Sequence, residues 1–102
     1  MGAPFQDGGP ITLTAGTRKR LSSSSIRFDW LIITALAANT GAIYVGSSLI
    51  ATGRGKTMLP GDEWPVPISE GEQVDISEVW GDTDTTNDKV AWIGGWGRPP
   101  RV

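Results

Sequence analysis

The side chains that could do chemistry in this 102-residue chain are few, because it contains no His and no Cys. Without imidazole or thiol it cannot assemble a Ser-His-Asp triad, a Cys nucleophile, a His general base or a Cys/His zinc site. Carboxylates, hydroxyls, cations and five Trp remain. Gly53-Arg54-Gly55-Lys56-Thr57 ends like a phosphate-binding loop, but the Gly that should lead the pattern is Ile50. Met58-Leu59-Pro60-Gly61 then opens a turn, so no helix N-terminus follows to offer N–H groups to a phosphate. The segment reads as a hairpin loop with a positive tip.

Asp82, Asp84 and Asp88, interleaved with Thr83, Thr85, Thr86 and Asn87, gather the hard oxygen donors that calcium prefers. The EF-hand pattern fails at Thr86 and no Gly follows, so the loop reads as a solvated turn, with calcium as the chemistry its donors could serve. Asp62 with Glu63, and Glu70 with Glu72, pair carboxylates as glycosidases do, but within turns and without an apolar pocket to raise one of them. No residue set therefore supports an enzyme, a cofactor or a metal.

Arg18-Lys19-Arg20 is the densest basic feature. Three cations without interleaved aromatics are too few for a nucleic-acid platform and suit an acidic protein surface better. Among the Trp, Trp30 and Trp92 lie in apolar alternation and are expected in the core, while Trp64 and Trp80 adjoin turns. Trp96, between Gly95 and Gly97, is the expected interface anchor.

Punctuation divides the chain into an extended N-terminal arm (Met1 to Pro10), one body (Ile11 to Trp96) and an extended tail (Gly97 to Val102). Within the body, apolar residues recur at period two, as half-buried strands require. Ile11, Leu13 and Ala15 mark one strand. Ile26, Phe28 and Trp30 mark another, continuing through Leu36 with apolar residues on both faces, as in a central strand covered on both sides. Further strands are expected at Ala42 to Val45, Trp64 to Ile68, Val74 to Trp80 and Lys89 to Trp96. Pro65 and Pro67 place the Trp64 segment at a sheet edge. Turn clusters, among them Gly81-Asp82-Thr83-Asp84, separate these strands, and the spacing indicates a sandwich or a small barrel. Nothing in Met1 to Pro10 resembles a secretory signal, so synthesis in the cytoplasm is expected. The longest apolar run, Trp30 to Ala38, is far below the ~20 residues of a membrane span.

Charge is divided unevenly. Met1 to Lys56 carries six basic and two acidic residues, Thr57 to Gly97 nine acids and Lys89, and the tail Arg98 and Arg101. Such charges by default solvate two groups of loops; the alternative is that the asymmetry lets copies of the chain meet head to tail.

Ala38-Asn39-Thr40-Gly41-Ala42-Ile43-Tyr44-Val45-Gly46-Ser47-Ser48 resembles a run common in small bacteriophage virion proteins: Asn-Thr-Gly, an apolar residue, Tyr-Val-Gly, then a polar turn. Leu59-Pro60-Gly61-Asp62-Glu63 is similar to the Leu-x-Pro-Gly-Glu turn of that group, and the strands at Trp64 to Ile68, Val74 to Trp80 and Lys89 to Ile93 follow in its order. The likeness covers roughly Ser25 to Trp96. The chain departs from the group in its proline-rich strand, its longer acidic loop at Gly81 to Asp88 and its Arg-Pro-Pro-Arg tail.

The resemblance implies an all-β fold, a compact antiparallel β-sandwich of jelly-roll-like form with extended arms at both ends. It also implies a non-enzymatic virion part, foremost a capsid decoration or cement protein synthesised in the host cytoplasm and bound to the outer surface of the major capsid protein lattice as a homotrimer. The contacts expected there are Phe5, Arg18, Lys19, Arg20, Trp96, Arg98 and Arg101, with no nucleic acid and no membrane involved. At about 3.3 Å per residue, a ten-residue arm would reach ~33 Å onto a neighbouring subunit. The alternative is a glycan-binding or adaptor module of a head or tail fibre, with Trp64 and Trp80 as stacking platforms.

Overall fold

The computed structural model describes residues 5–49, 55–69 and 71–97. Period-two alternation builds it. In chain order the strands are β1 (Phe5–Thr12), β2 (Lys19–Arg20), β3 (Arg27–Phe28), β4 (Trp30–Ala35), β5 (Ile43–Gly46), β6 (Lys56–Met58), β7 (Glu63–Pro65), β8 (Val74–Asp75), β9 (Trp80–Thr83) and β10 (Lys89–Gly95). One 3-10 turn, Ile76–Glu78, lies between β8 and β9.

Sheet 1 has the order β1-β10-β4-β7, sheet 2 the order β2-β9-β5-β6, and β3 and β8 form a separate ribbon. Every pairing is antiparallel. The pairs β1·β10, β2·β9, β3·β8, β4·β7 and β5·β6 are nested one inside the next, as in one long hairpin wrapped on itself, and β10·β4 and β5·β9 close the two sheets. Leu31, Ile33 and Ala35 of β4, Val90 and Trp92 of β10, Ile43 and Val45 of β5 and Met58 of β6 share one core cluster, so the sheets pack face to face as a β-sandwich. β7 is an edge strand, as Pro65 requires.

Several expectations are corrected. Phe5 to Pro10 are not an arm reaching away from the body: they belong to β1, which pairs with β10 from Phe5↔Gly95 to Thr12↔Lys89. The Gly8-Gly9-Pro10 run that reads as a breaker is accommodated by a bulge, with two residues, Gly9 and Pro10, opposite Ala91 alone. Gly9 takes φ +100° there, with Ala91 Cα 3.0 Å from where a Cβ would stand.

The strand drawn through Ile26 to Leu36 is two strands. Asp29 interrupts it by accepting hydrogen bonds from Gln73 Nε2 (3.0 Å) and Gly97 N (2.7 Å). Phe28 points into the core, whereas beyond the break Leu31, Ile33 and Ala35 are the buried set and Trp30 falls on the opposite, half-buried face. Trp30 is therefore not a core residue. The strand through Val74 to Trp80 also breaks, because the Asp75 carboxylate accepts from Ser77 N (2.9 Å) and caps the 3-10 turn. Gly81-Asp82-Thr83, read as a turn, is the buried strand β9, with Leu21 and Leu13 methyls packed beside Gly81.

Candidate interaction surface

At one corner of sheet 1, Phe5 stands opposite Gly95, and Trp96 follows at once. Phe5 is 49% and Trp96 39% exposed, a conspicuous amount for large apolar side chains. Trp96 is nonetheless fixed: its Nε1 donates to Arg27 O (2.8 Å) and its ring lies 5.2 Å from that of Phe28, which in turn lies 5.5 Å from Trp92. A Cβ on Gly94 would come within 2.6 Å of the Phe28 ring, so the aromatic column closes only over glycine. Asp29 buttresses the same corner. The Gly97 N–H, and after it the Gln73 amide, hold its carboxyl below the usual range.

Between the edges β1 and β2 runs an open groove of about 620 Å³, floored by Trp92 and the Gly8-Gly9-Pro10 bulge, with Lys19 and Arg20 along one side. Trp92 Nε1 donates to Leu21 O (3.1 Å), tying the two layers together beneath it. Arg18, Lys19 and Arg20 are all exposed, and the Arg20 guanidinium lies 5.1 Å from the centre of the Trp80 ring. An exposed cationic edge over an apolar floor suits an acidic protein segment.

The acidic loop is a clamp rather than a solvated turn. Asp88, 5% exposed, accepts from Thr40 N (3.1 Å) and Gly41 N (2.8 Å), and Asp84 accepts from Ala42 N (3.0 Å). Asn39 completes it, with Nδ2 donating to Lys89 O and Oδ1 accepting from Lys89 N, both at 2.7 Å. Two of the crossings between sheets, β4 to β5 and β9 to β10, are thus bolted to each other. Asp82 accepts from Gly16 N (3.1 Å) and Thr83 N (2.7 Å). Among the described residues, no group of three or more carboxylates is placed to hold a metal ion. Tyr44 Oη, 3.5 Å from Asp84 Oδ2, is raised above its ordinary value first by burial and then by the charge of Asp84.

The contacts anticipated from sequence thus fall in two places, Phe5 and Trp96 at the corner, Arg18, Lys19 and Arg20 along the β2 edge. Arg98 and Arg101 lie outside the described residues, as do Gly53, Arg54 and Glu70. Lys56 and Thr57 lie on β6, which ends in the turn closed by Leu59 N to Asp62 Oδ2 (2.8 Å). Trp64 and Trp80 sit in different sheets, Trp64 packed against the core cluster and Trp80 under Arg20. The Asn39 clamp escaped sequence reasoning, since an Asn before Thr-Gly reads as a turn former; the buried acids facing it across the fold carry no local signal. No family model, no curated protein and no solved structure matches the chain.

Proposed function

We propose that the protein is a non-enzymatic structural part of a bacteriophage virion, a decoration or cement protein that binds the outer face of the major capsid protein lattice as a homo-oligomer. The sequence resemblance supports this reading, and so does the topology. Nested pairing of a single long hairpin, wrapped into orders β1-β10-β4-β7 and β2-β9-β5-β6, supports reading the sandwich as a jelly roll, an architecture used in viral capsids. The observation that carries the proposal furthest is the corner at Phe5 and Trp96, two exposed aromatic side chains at the rim of sheet 1, the second of them fixed by its hydrogen bond to Arg27 O. Asp84 and Asp88, two of the acids whose oxygens could have served a cation, are engaged in the clamp between crossings.

Phe5→Asp tests it, because Phe5 is half exposed and its replacement leaves the core intact. Recombinant chain added to capsids of the encoding phage that lack it should decorate the surface lattice in electron micrographs. Phe5→Asp should lower occupancy at least tenfold with an unchanged melting temperature. Equal occupancy of wild type and variant would remove the corner from the interface, and undecorated capsids would sink the cement reading.

A further inference from the structure

Only one face of sheet 1 is covered by sheet 2. On the other, register sets Ile93, Ile32 and Pro65 in one transverse row behind Asp7, with Trp30 in the next row behind Gly95 and Phe5. Ile32, Ile93 and Trp30 are half-buried, and Phe5 and Pro65 are exposed. Trp30 Nε1 is buried with no acceptor. The third row is Ala91, Thr34 and Glu63. The face is thus apolar at its centre, edged by Asp7 on β1 and Glu63 on β7, and carries no Lys or Arg in these rows. β4 was expected to be covered on both faces; among the described residues, sheet 2 covers one.

The outer face of sheet 2 is its complement. Tyr44 of β5 and Trp80 of β9 lie there, Arg20 rests on Trp80, and Lys19 and Arg18 continue the same edge. Of the acids there, Asp82 is 2% exposed and faces Gly16 N and Thr83 N rather than solvent, and Asp84, just past the end of β9, is exposed beside Tyr44 Oη and accepts from Ala42 N, which leaves the cations gathered at the Arg18 to Arg20 edge. Pairing sheet 1 with sheet 1 would bring four carboxylates around one apolar layer with no cation among them, and like charges juxtaposed there oppose association.

We infer that a second copy of this chain covers sheet 1, presenting the outer face of its sheet 2, so that Tyr44 and Trp80 meet Ile32 and Ile93 while the Arg18 to Arg20 edge meets Glu63 or Asp7. The contact is heterologous, and repetition closes it into a ring or extends it as a filament. It does not depend on the virion reading.

Sedimentation velocity of the full chain between about 1 and 200 µM, a range that brackets micromolar association, tests it. Assembly should rise with concentration and weaken at high salt. Glu63→Lys, a change at an exposed position, and Arg20→Glu should each weaken assembly about tenfold, and the two combined in one chain should restore it. A chain that stays monomeric throughout overturns the inference. So does a dimer that stops at two copies and ignores Arg20→Glu. Monomeric chain whose capsid occupancy is lost in Ile93→Asp assigns this face to the capsid, overturning the self-contact while leaving the proposed function standing.

Discussion

Asp75 shows how much one half-buried carboxylate can control. Ser25 Oγ, then Ser77 Oγ (2.8 Å) and Ser77 N (2.9 Å), donate to it and lower it to about 2. An unfolded Asp titrates near ~3.9. Because the folded value is depressed, the stabilisation is fully present above the unfolded value and is lost as pH falls through the window from about 4 to about 2. Denaturant melts across that range should show wild type losing stability and Asp75→Asn, weaker at neutral pH, losing less. Parallel curves would contradict the linkage. Gly94 is the second single-residue control. Its missing Cβ leaves room for the Phe28 ring, which Trp92 and Trp96 prevent from retreating. Gly94→Ala should cost about 1–3 kcal/mol, measurable as a lower denaturation midpoint at constant slope. Trp92 was legible as core from alternation alone. Trp30 was not, because the break at Asp29 that reverses its face is made by Gln73 and Gly97, residues far along the chain.

Elements were legible where periodicity runs long enough to be seen. β10, seven residues long, stands where it was expected, and the six residues of β4 are the second part of the strand read through Ile26 to Leu36. β2 and β6, two and three residues long, carry no period and exist because longer neighbours pair with them. β1 was hidden by Gly8, Gly9 and Pro10, whose breaker character is absorbed by the bulge. Deleting Met1 to Gly9 should therefore do more than shorten an arm. It strips β10 of its outer neighbour and uncovers Trp92, against which Gly8 packs. The truncated chain should melt well below the intact one, and unaltered melting would show that β1 adds little to the sandwich. The clamp has its own test. Asp88→Ala leaves the Thr40 and Gly41 N–H groups without acceptors in a half-buried site, at about 1–3 kcal/mol, while Asp88→Asn keeps one acceptor and should lose less. Identical midpoints for the two variants would show that packing, rather than hydrogen bonding, holds the crossings.

At the scale of the whole molecule, nested pairing imposes an order on folding. β5 and β6 join residues 43–45 to 56–58, a short closure, whereas β1 and β10 join residues 5–12 to 89–95. Closure entropy rises with the enclosed length, so the inner pairs form at lower cost and each shortens the loop that the next must close. This order was not legible in the sequence, since alternation marks a strand without naming its partner, and the partner is chosen by the core the two sheets share. Such non-local topologies fold in milliseconds to seconds. Met58, fully buried on β6 opposite Ile43, belongs to the inner turn of the wrap. Met58→Ala should cost about 2–5 kcal/mol, with at least half of it appearing as slower folding. Ile11, half-buried on β1 opposite Val90, belongs to the outer turn, and Ile11→Ala should act almost wholly by faster unfolding. Stopped-flow chevrons of the two variants measure the partition directly. The reverse assignment, with Ile11→Ala slowing folding and Met58→Ala sparing it, would mean that the chain ends meet first and that the wrap closes from outside inward.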